Sequence, residues 1–290
     1  MDIARQEHEQ MRLWNGPAGR AWVEAQDILG EMFKQFEGPL IEAVRAGSAR
    51  RVLDLGCGTG GLTVAAARKL GEGGGVVGID ISAPMIATAL ARGTCEGASV
   101  GFICADAQRH EFEAASFDTV ISRLGVMFFD DPVAAFVNLR RAVTEGAELR
   151  FIAWRSAVEN PFMTTAERAA APLLPDLPVR RPDGPGQFAF ADRDRVRAIL
   201  QSSGWIDIDI RAIDIPCSFR ASDLRRYITW LGPVGTILQN ADEAMRERVI
   251  DAVRPGFDDY VQGALICFTA ACWAVSARAQ SGDPGEVPNG

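Results

Sequence analysis

The chain has 290 residues, of which 48% are hydrophobic and 23% are charged, a composition typical of a globular protein with a sizeable core. Its 38 acidic and 30 basic side chains give a formal net charge of −8, which repels phosphate backbones and anionic membrane surfaces. The longest nearly uncharged stretch, 263–276, is too short to span a bilayer. We therefore expect neither a nucleic acid nor a membrane as a partner.

The six cysteines form no CxxC pair, and the chain has only two histidines, so a Cys/His metal site is not expected. The N-terminus mixes charges of both signs and lacks the apolar segment of a signal peptide, which favours a cytoplasmic location. The composition of residues 280–290 predicts a disordered tail.

Residues 1–47 carry aromatic side chains among charges, which predicts amphipathic helices forming a cap over the rest of the protein. From residue 51 onward, short apolar runs that end at Gly or Asp alternate with helical patterns, as in βαβ units of a parallel sheet. The predicted parallel strands are 51–55, 76–80, 99–105, 117–122 and 148–154, and the predicted helices between them are 62–70, 84–92 and 132–143.

The later part of the chain predicts two more strands. Residues 205–215 alternate apolar and polar side chains, with a phase slip near Ala212 that suggests a bulge, and a last strand is expected at 264–277. The result is an α/β domain, 48–279, with a seven-stranded, mostly parallel sheet. Two segments, 156–190 and 216–258, do not fit the alternation and are predicted to form lid insertions.

The sharpest local signal is VLDLGCGTGGLT at 52–63, where Asp54 near the end of a strand is followed by Gly56, Gly58 and Gly60. Glycine at alternate positions allows a tight turn and a close approach of the backbone to a ligand. A glycine-rich loop alone could equally belong to a dinucleotide-binding fold. The spacing D-x-G-x-G-x-G, however, resembles motif I of the class I S-adenosylmethionine-dependent methyltransferases, which have a Rossmann-like fold.

This resemblance implies further cofactor contacts at the ends of the next strands. Asp80 ends the second strand, roughly 20 residues beyond the glycines, where an acid binds ribose hydroxyls. In the family the residue after it, here Ile81, packs on adenine. Asp106 would accept a hydrogen bond from the adenine amino group and the Ala107 N–H would meet a ring nitrogen, although an aspartate after a strand can also be only a cap.

The complete prediction for the site has a cofactor part and an acceptor part. The predicted cofactor-binding residues, for S-adenosylmethionine and its product S-adenosylhomocysteine, are Asp54, Gly56, Cys57, Gly58, Gly60, Asp80, Ile81, Asp106, Ala107, Ser122 and Trp14. The predicted acceptor-binding residues are Arg123, Met127, Phe128 and Phe162.

The segment ISRLGVMFFDDP at 121–132 bears on the acceptor. It lacks the N/D-P-P-Y/F tetrad of methyltransferases that act on amino groups of DNA or protein, and its LGVMFF resembles relatives of the ubiquinone and menaquinone methyltransferases. Where many of these have a lysine, a proline and two glycines before the fifth strand, this chain has TEGAE at 144–148. Arg123 could clamp an acceptor carboxylate or keto oxygen, or pair with a neighbouring acid.

The expected reaction is therefore methyl transfer from S-adenosylmethionine to oxygen or acidic carbon of a small, largely apolar metabolite. Positioning and exclusion of water supply most of the acceleration in such a displacement, and no catalytic residue is assigned. A dinucleotide-dependent oxidoreductase and a non-catalytic cofactor-binding protein remain as alternatives, and a homo-oligomer is left open.

Overall fold

The computed structural model describes residues 3–44, 50–97, 99–178, 180 and 184–280. The helices are α1 (Ile3–Asn15), α2 (Pro17–Glu24), α3 (Gln26–Met32), α4 (Glu37–Ile41), α5 (Gly61–Leu70), α6 (Ala83–Glu96), α7 (Pro132–Ala142), α8 (Pro161–Ala170), α9 (Arg193–Ser202), α10 (Leu224–Trp230), α11 (Gly232–Leu238) and α12 (Glu243–Val253). The strands are β1 (Arg51–Leu55), β2 (Gly75–Asp80), β3 (Val100–Cys104), β4 (Phe117–Arg123), β5 (Val143–Trp154), β6 (Trp205–Arg220), β7 (Val261–Gln262) and β8 (Leu265–Ala279).

These strands form one sheet in the order β3-β2-β1-β4-β5-β8-β6, and the two-residue β7 pairs with β8. Strands β1 to β5 are parallel, whereas β8 runs antiparallel to both β5 and β6. The prediction of a mostly parallel seven-stranded sheet is thus confirmed, with β7 as a short addition. The chain order reverses between β1 and β4, and open sheets of this kind bind ligands beyond the carboxyl ends of the strands at such a point.

The bulge in β6 lies elsewhere than predicted. The register with β8 shifts between Ile206 and Asp209, and Asp207 between them has φ 52. Aspartate tolerates this left-handed conformation better than most side chains, which allows the extra residue there. The phase slip near Ala212 is not a bulge, because Ala212 pairs regularly with Trp273.

Parts of both segments predicted as lids pack against the antiparallel end of the sheet. Residues 216–220 belong to β6, where they pair with 265–269 of β8, and the rest of 216–258 contains α10 to α12. Helix α8 begins the first of the two segments and inserts Phe162 among aromatic rings. We call this group the aromatic cluster; its members are Phe162, Phe219, Tyr227, Phe257, Tyr260 and Phe268.

The predicted N-terminal cap contains α1 to α4 and is tied to the turn after β2. The side chain of Asn15 donates to the carbonyl of Ile81 at 3.0 Å and accepts from the Ala83 N–H at 2.8 Å. The Ser82 hydroxyl donates to the Trp14 carbonyl at 2.7 Å. Residues 1–2 and 45–47 of the predicted cap and 281–290 of the predicted tail lie outside the described residues.

Among the helices that the structure describes, none combines the length and the apolar character needed to cross a membrane.

Candidate functional site

A cleft opens where the carboxyl ends of β1, β2, β3 and β4 meet the N-terminal cap. Its empty space, with the open mouth included, is about 840 Å³. Its lining residues are Gln10, Trp14, Trp22, Leu55, Gly56, Gly58, Ile79, Asp80, Ile81, Met85, Ala105, Asp106, Ala107, Gln108, Arg123, Leu124, Gly125, Phe128, Phe129 and Asp130.

The glycine loop after β1 forms one side of the cleft. Gly56 and Gly58 have φ values of 66° and 55°, in the region that favours glycine. The N–H of Gly56 donates to the Ile79 carbonyl at 2.9 Å, which ties the loop to β2. A Cβ on Gly56 would lie 2.8 Å from Cα of Gly125, whereas one on Gly58 would meet only Met85 Sδ at 3.7 Å. The loop is therefore packed against the segment after β4 at Gly56 and open to the cleft at Gly58.

Asp80 at the end of β2 holds this loop with one oxygen and the next turn with the other. It accepts from the Gly58 N–H at 2.8 Å and from the Ser82 N–H at 2.9 Å. Burial raises the pKa of Asp80, and the backbone N–H groups that point at the carboxylate lower it. Since each carboxylate oxygen has two lone pairs, both retain capacity for hydroxyl donors of a ligand in the cleft.

Asp106 follows β3 and forms a second acidic group on the cleft wall. One oxygen accepts from the Gln108 N–H at 2.9 Å, and the other lies 3.6 Å from Nε of Arg109. No described helix begins at Asp106, so this contact stabilises a turn and is not a helix cap. The side chains of Ile81 and Met85 provide apolar surface in the same cleft.

Aromatic side chains from the cap and from the segment after β4 form another wall. The ring of Trp14 packs edge to face on Phe128, with centroids 5.0 Å apart, and on Trp22, with centroids 5.9 Å apart. Nε1 of Trp14 donates to the side chain of Gln10 at 3.2 Å. Together with Phe129, these rings are half-buried and face the empty space.

An ionic group lies behind the glycine loop. Asp54 is 1% exposed and accepts from the Thr63 hydroxyl at 2.6 Å, while its Oδ1 has no hydrogen-bond partner among the described residues. Burial raises the pKa of Asp54 to about 6, although Thr63 and the nearby Arg123 lower it. Arg123 in turn places Nη1 3.7 Å from Oε1 of Glu37 in α4.

The structure brings together most of the residues predicted for the site. Those that line the cleft are Trp14, Gly56, Gly58, Asp80, Ile81, Asp106, Ala107, Arg123 and Phe128. Those that do not are Asp54, Cys57, Gly60, Ser122, Met127 and Phe162.

The four of these that come from the cofactor part of the prediction shape the loop from below. Cys57 fills the space over Gly78, where a Cβ would lie 2.9 Å from its Sγ, and the Ser122 hydroxyl donates to the Leu55 carbonyl at 2.7 Å. Gly60 precedes α5 and packs against Ala89 and Phe102. With the buried Asp54, these residues support the loop without reaching the cleft.

The two predicted acceptor residues that do not line the cleft, Met127 and Phe162, are part of the hydrophobic core. Met127 is 1% exposed, and Phe162 is 2% exposed with its ring stacked on Phe268 at a centroid distance of 3.8 Å. We therefore correct their predicted role. The sequence does not tell whether an apolar side chain after a strand or in an insertion contacts a ligand or packs against another helix or strand.

Some lining residues were missed, although the sequence holds a signal for two of them. Gln10 lies four residues before Trp14, on the same face of α1. Gln108 comes two residues after Asp106, within the same turn. Asp130 follows Phe128 and Phe129 directly, but no pattern in the sequence distinguishes it from an acid that only faces solvent.

Comparisons with known proteins agree with this geometry. Residues 52–146 match the family described as a methyltransferase domain. The chain is 35% identical over 127 residues to the aklanonic acid methyltransferase DauC of Streptomyces sp. (strain C5), covering 43% of this chain and 58% of DauC. It is 34% identical over 112 residues to the nocamycin O-methyltransferase of Saccharothrix syringae, covering 38% of this chain and 40% of that enzyme. The matched part thus spans about half the length of these relatives.

Among solved structures, the protein YcgJ of Bacillus subtilis has the same fold. Its TM-score is 0.56 at 16% sequence identity, and the superposition covers 85% of this chain and 98% of YcgJ. The domain match at 52–146 gives no support to the dinucleotide-dependent alternative.

Proposed function

We propose that this chain, which carries a class I methyltransferase domain, transfers a methyl group from S-adenosylmethionine to an oxygen or an acidic carbon of a small, largely apolar molecule. The observation that carries the proposal is the convergence of Gly58, Asp80 and Asp106 on one cleft at the switch point of the sheet. Since the matched part spans about half of the named relatives, the activity and the acceptor remain our inference.

In this proposal the cofactor lies along the strand ends. Asp80 binds the ribose hydroxyls with its remaining lone pairs, Asp106 accepts from the adenine amino group, and Ile81 packs on the ring. The open side of Gly58 admits the amino-acid tail. The sulfonium supplies an already activated methyl group, so the protein has to bind, orient and exclude water.

The acceptor then meets the aromatic wall. This wall makes the cavity mostly apolar, which suits a small molecule with a planar, largely apolar body. Its rings are those of Trp14, Trp22, Phe128 and Phe129. Aromatic faces also attract a cationic sulfonium. The two named relatives, an aklanonic acid methyltransferase and an O-methyltransferase, support a small-molecule acceptor and transfer to oxygen.

The cofactor part is tested by calorimetry with S-adenosylhomocysteine. Asp80→Ala should lose about ten- to a hundredfold in affinity, since a charge-assisted hydrogen-bond acceptor is removed. Asp118→Ala is the matched control, because Asp118 also accepts a backbone N–H, from Arg51 at 2.7 Å, but stands at the amino end of β4. Equal affinities of the two variants would remove Asp80 from the proposed site.

The reaction is tested by labelled methyl transfer to a panel of phenols, quinol precursors, polyketide acids, polar amines, RNA and protein. Turnover of phenols or acids supports the proposal, and efficient turnover only of RNA, protein or polar amines contradicts it. The cytoplasmic location and the exclusion of nucleic acids stay predictions from the sequence.

A further inference from the structure

The charges that line the cleft are unevenly distributed. Asp80, Asp106 and Asp130 are anions, and Arg123 is the only cation among the described lining residues. The Arg123 side chain is 19% exposed, so most of it has been removed from water. Burial lowers the pKa of Arg123, but a guanidinium remains protonated in proteins. The cleft therefore contains one fixed, largely desolvated positive charge.

This guanidinium has neighbouring charges but no hydrogen-bond acceptor in the described part of the chain. Its distance to Glu37 is 3.7 Å, beyond hydrogen-bonding range, and Asp54 acts on it only through its charge. Its N–H groups are therefore accessible from the cleft and can donate to acceptor atoms of a bound ligand.

Other partly buried arginines show what a structural role looks like in this protein. Arg155, 15% exposed, lies 3.1 Å from both Glu159 and Asp214. Arg180 donates to both carboxylate oxygens of Glu167. Arg150 donates to Glu148 at 2.6 Å. Each of them has a carboxylate oxygen within hydrogen-bonding distance, and Arg123 does not.

We propose that Arg123 is an anion anchor whose guanidinium binds the carboxylate or enolate oxygen of a ligand in the cleft. A planar guanidinium binds a carboxylate through two parallel hydrogen bonds, while Glu37 and Asp54 hold the cation at the end of β4. This inference rests on the proposed function. It leaves two sources for the anion, the carboxylate of the cofactor's amino-acid tail and an acidic group of the acceptor.

Binding measurements on Arg123→Met separate the two sources. The cofactor arm compares S-adenosylhomocysteine with 5′-methylthioadenosine, which lacks the amino-acid tail. The acceptor arm compares 2-naphthoate with the neutral 2-naphthamide on protein saturated with S-adenosylhomocysteine. We expect the variant to lose about ten- to a hundredfold in affinity for the charged member of one pair only. A loss for S-adenosylhomocysteine assigns Arg123 to the cofactor, and a loss for 2-naphthoate assigns it to the acceptor.

Controls keep the test independent of folding and of the proposed function. Arg150→Met removes an arginine away from the cleft and should leave all four affinities unchanged. If Arg123→Met does not fold, Arg123→Lys takes its place. Arg123→Lys keeps the charge beside Glu37 without the planar guanidinium, so it should lose an intermediate amount of affinity for the same charged ligand.

Several outcomes overturn the anchor. These are equal losses for both members of each pair, unchanged affinities in Arg123→Met, and no binding of any charged probe to the wild type. If the wild type binds 2-naphthoate without cofactor but does not bind S-adenosylhomocysteine, the proposed function fails. The comparison of 2-naphthoate with 2-naphthamide then still tests Arg123.

Discussion

The aromatic wall of the cleft and the aromatic cluster around Phe162 are made from the same kinds of side chain, yet their packing differs. In the cluster, Phe162 is 2% exposed and stacks face to face on Phe268. In the cleft, Trp14 meets Phe128 only edge to face, and both rings stay half-buried. The cluster is filled by its own members, whereas the rings of the wall surround empty space.

The difference follows from the position of each group in the sheet. The cluster packs between β6, β8 and the helices α8 and α10, where antiparallel strands are covered by insertions. The wall lies beyond the carboxyl ends of the parallel strands, where helices α1 and α2 and the segment after β4 leave a cleft between them and the sheet. Substitutions in the cluster should therefore affect stability, and substitutions in the wall should affect binding.

The largest effect is expected for Phe162→Ala. Truncation of a buried phenylalanine leaves a cavity, so the free energy of unfolding should fall by about 3–5 kcal/mol in denaturant titrations. Phe162→Leu keeps most of the volume and should cost clearly less. The affinity of the folded fraction for S-adenosylhomocysteine should not change. A variant with full stability and weakened acceptor turnover would return Phe162 to the acceptor site.

Gly56→Ala should have the next largest effect. A side chain at φ 66° costs about 1–2 kcal/mol, and its Cβ would also lie 2.8 Å from the Gly125 backbone. We therefore expect a total loss of stability of about 2 kcal/mol or more, together with weaker cofactor binding. Gly61→Ala is the control, because nothing lies within 4 Å of a Cβ at that helical position. Equal stabilities of the two variants would show that the loop can move away from β4.

Asp54 should make stability depend on pH. Its pKa is raised from 3.8 to about 6 by burial, so between these values the folded state binds more protons than the unfolded state. Stability from this group is therefore greater at low pH and is lost as the pH rises through about 6. From about pH 5 to about pH 7.5, the unfolding free energy of the wild type relative to Asp54→Asn should fall by about 1.4 kcal/mol.

Thr63→Val sharpens this test. The Thr63 hydroxyl donates to Asp54 and lowers its pKa, so its removal should move the pH-dependent window to higher pH. Parallel pH profiles of the wild type and Asp54→Asn would show that the carboxylate is better solvated than the structure indicates.

The smallest effect on stability is expected for Phe128→Ala. Its ring is half-buried and contributes one edge-to-face contact to Trp14, so the unfolding free energy should change by about 1 kcal/mol. The KM for an acceptor should rise, since part of the wall is lost, while affinity for S-adenosylhomocysteine should change little. A loss as large as that of Phe162→Ala would mean that the wall is part of the core.

The sequence allowed us to predict those features of the site that depend only on the order of strands and helices along the chain. In a parallel sheet the strand ends share one edge, so Asp80 and Asp106 could be placed near each other from the chain alone. The absence of Phe162 from the cleft could not be predicted, because an apolar pattern identifies a buried face without identifying what covers it. Asp54 shows the same limit for a polar residue, since only the packing of α5 brings Thr63 to its carboxylate and buries both.

Strand β6 forms one end of the sheet, and its features affect how copies of the chain can associate. The bulge at Asp207 distorts its first residues, Asp209 and Arg211 place an exposed ion pair beside them, and Pro216 lacks an N–H to donate. An incoming strand would meet an irregular backbone flanked by charges. This edge therefore resists strand addition and the intermolecular aggregation that begins from it.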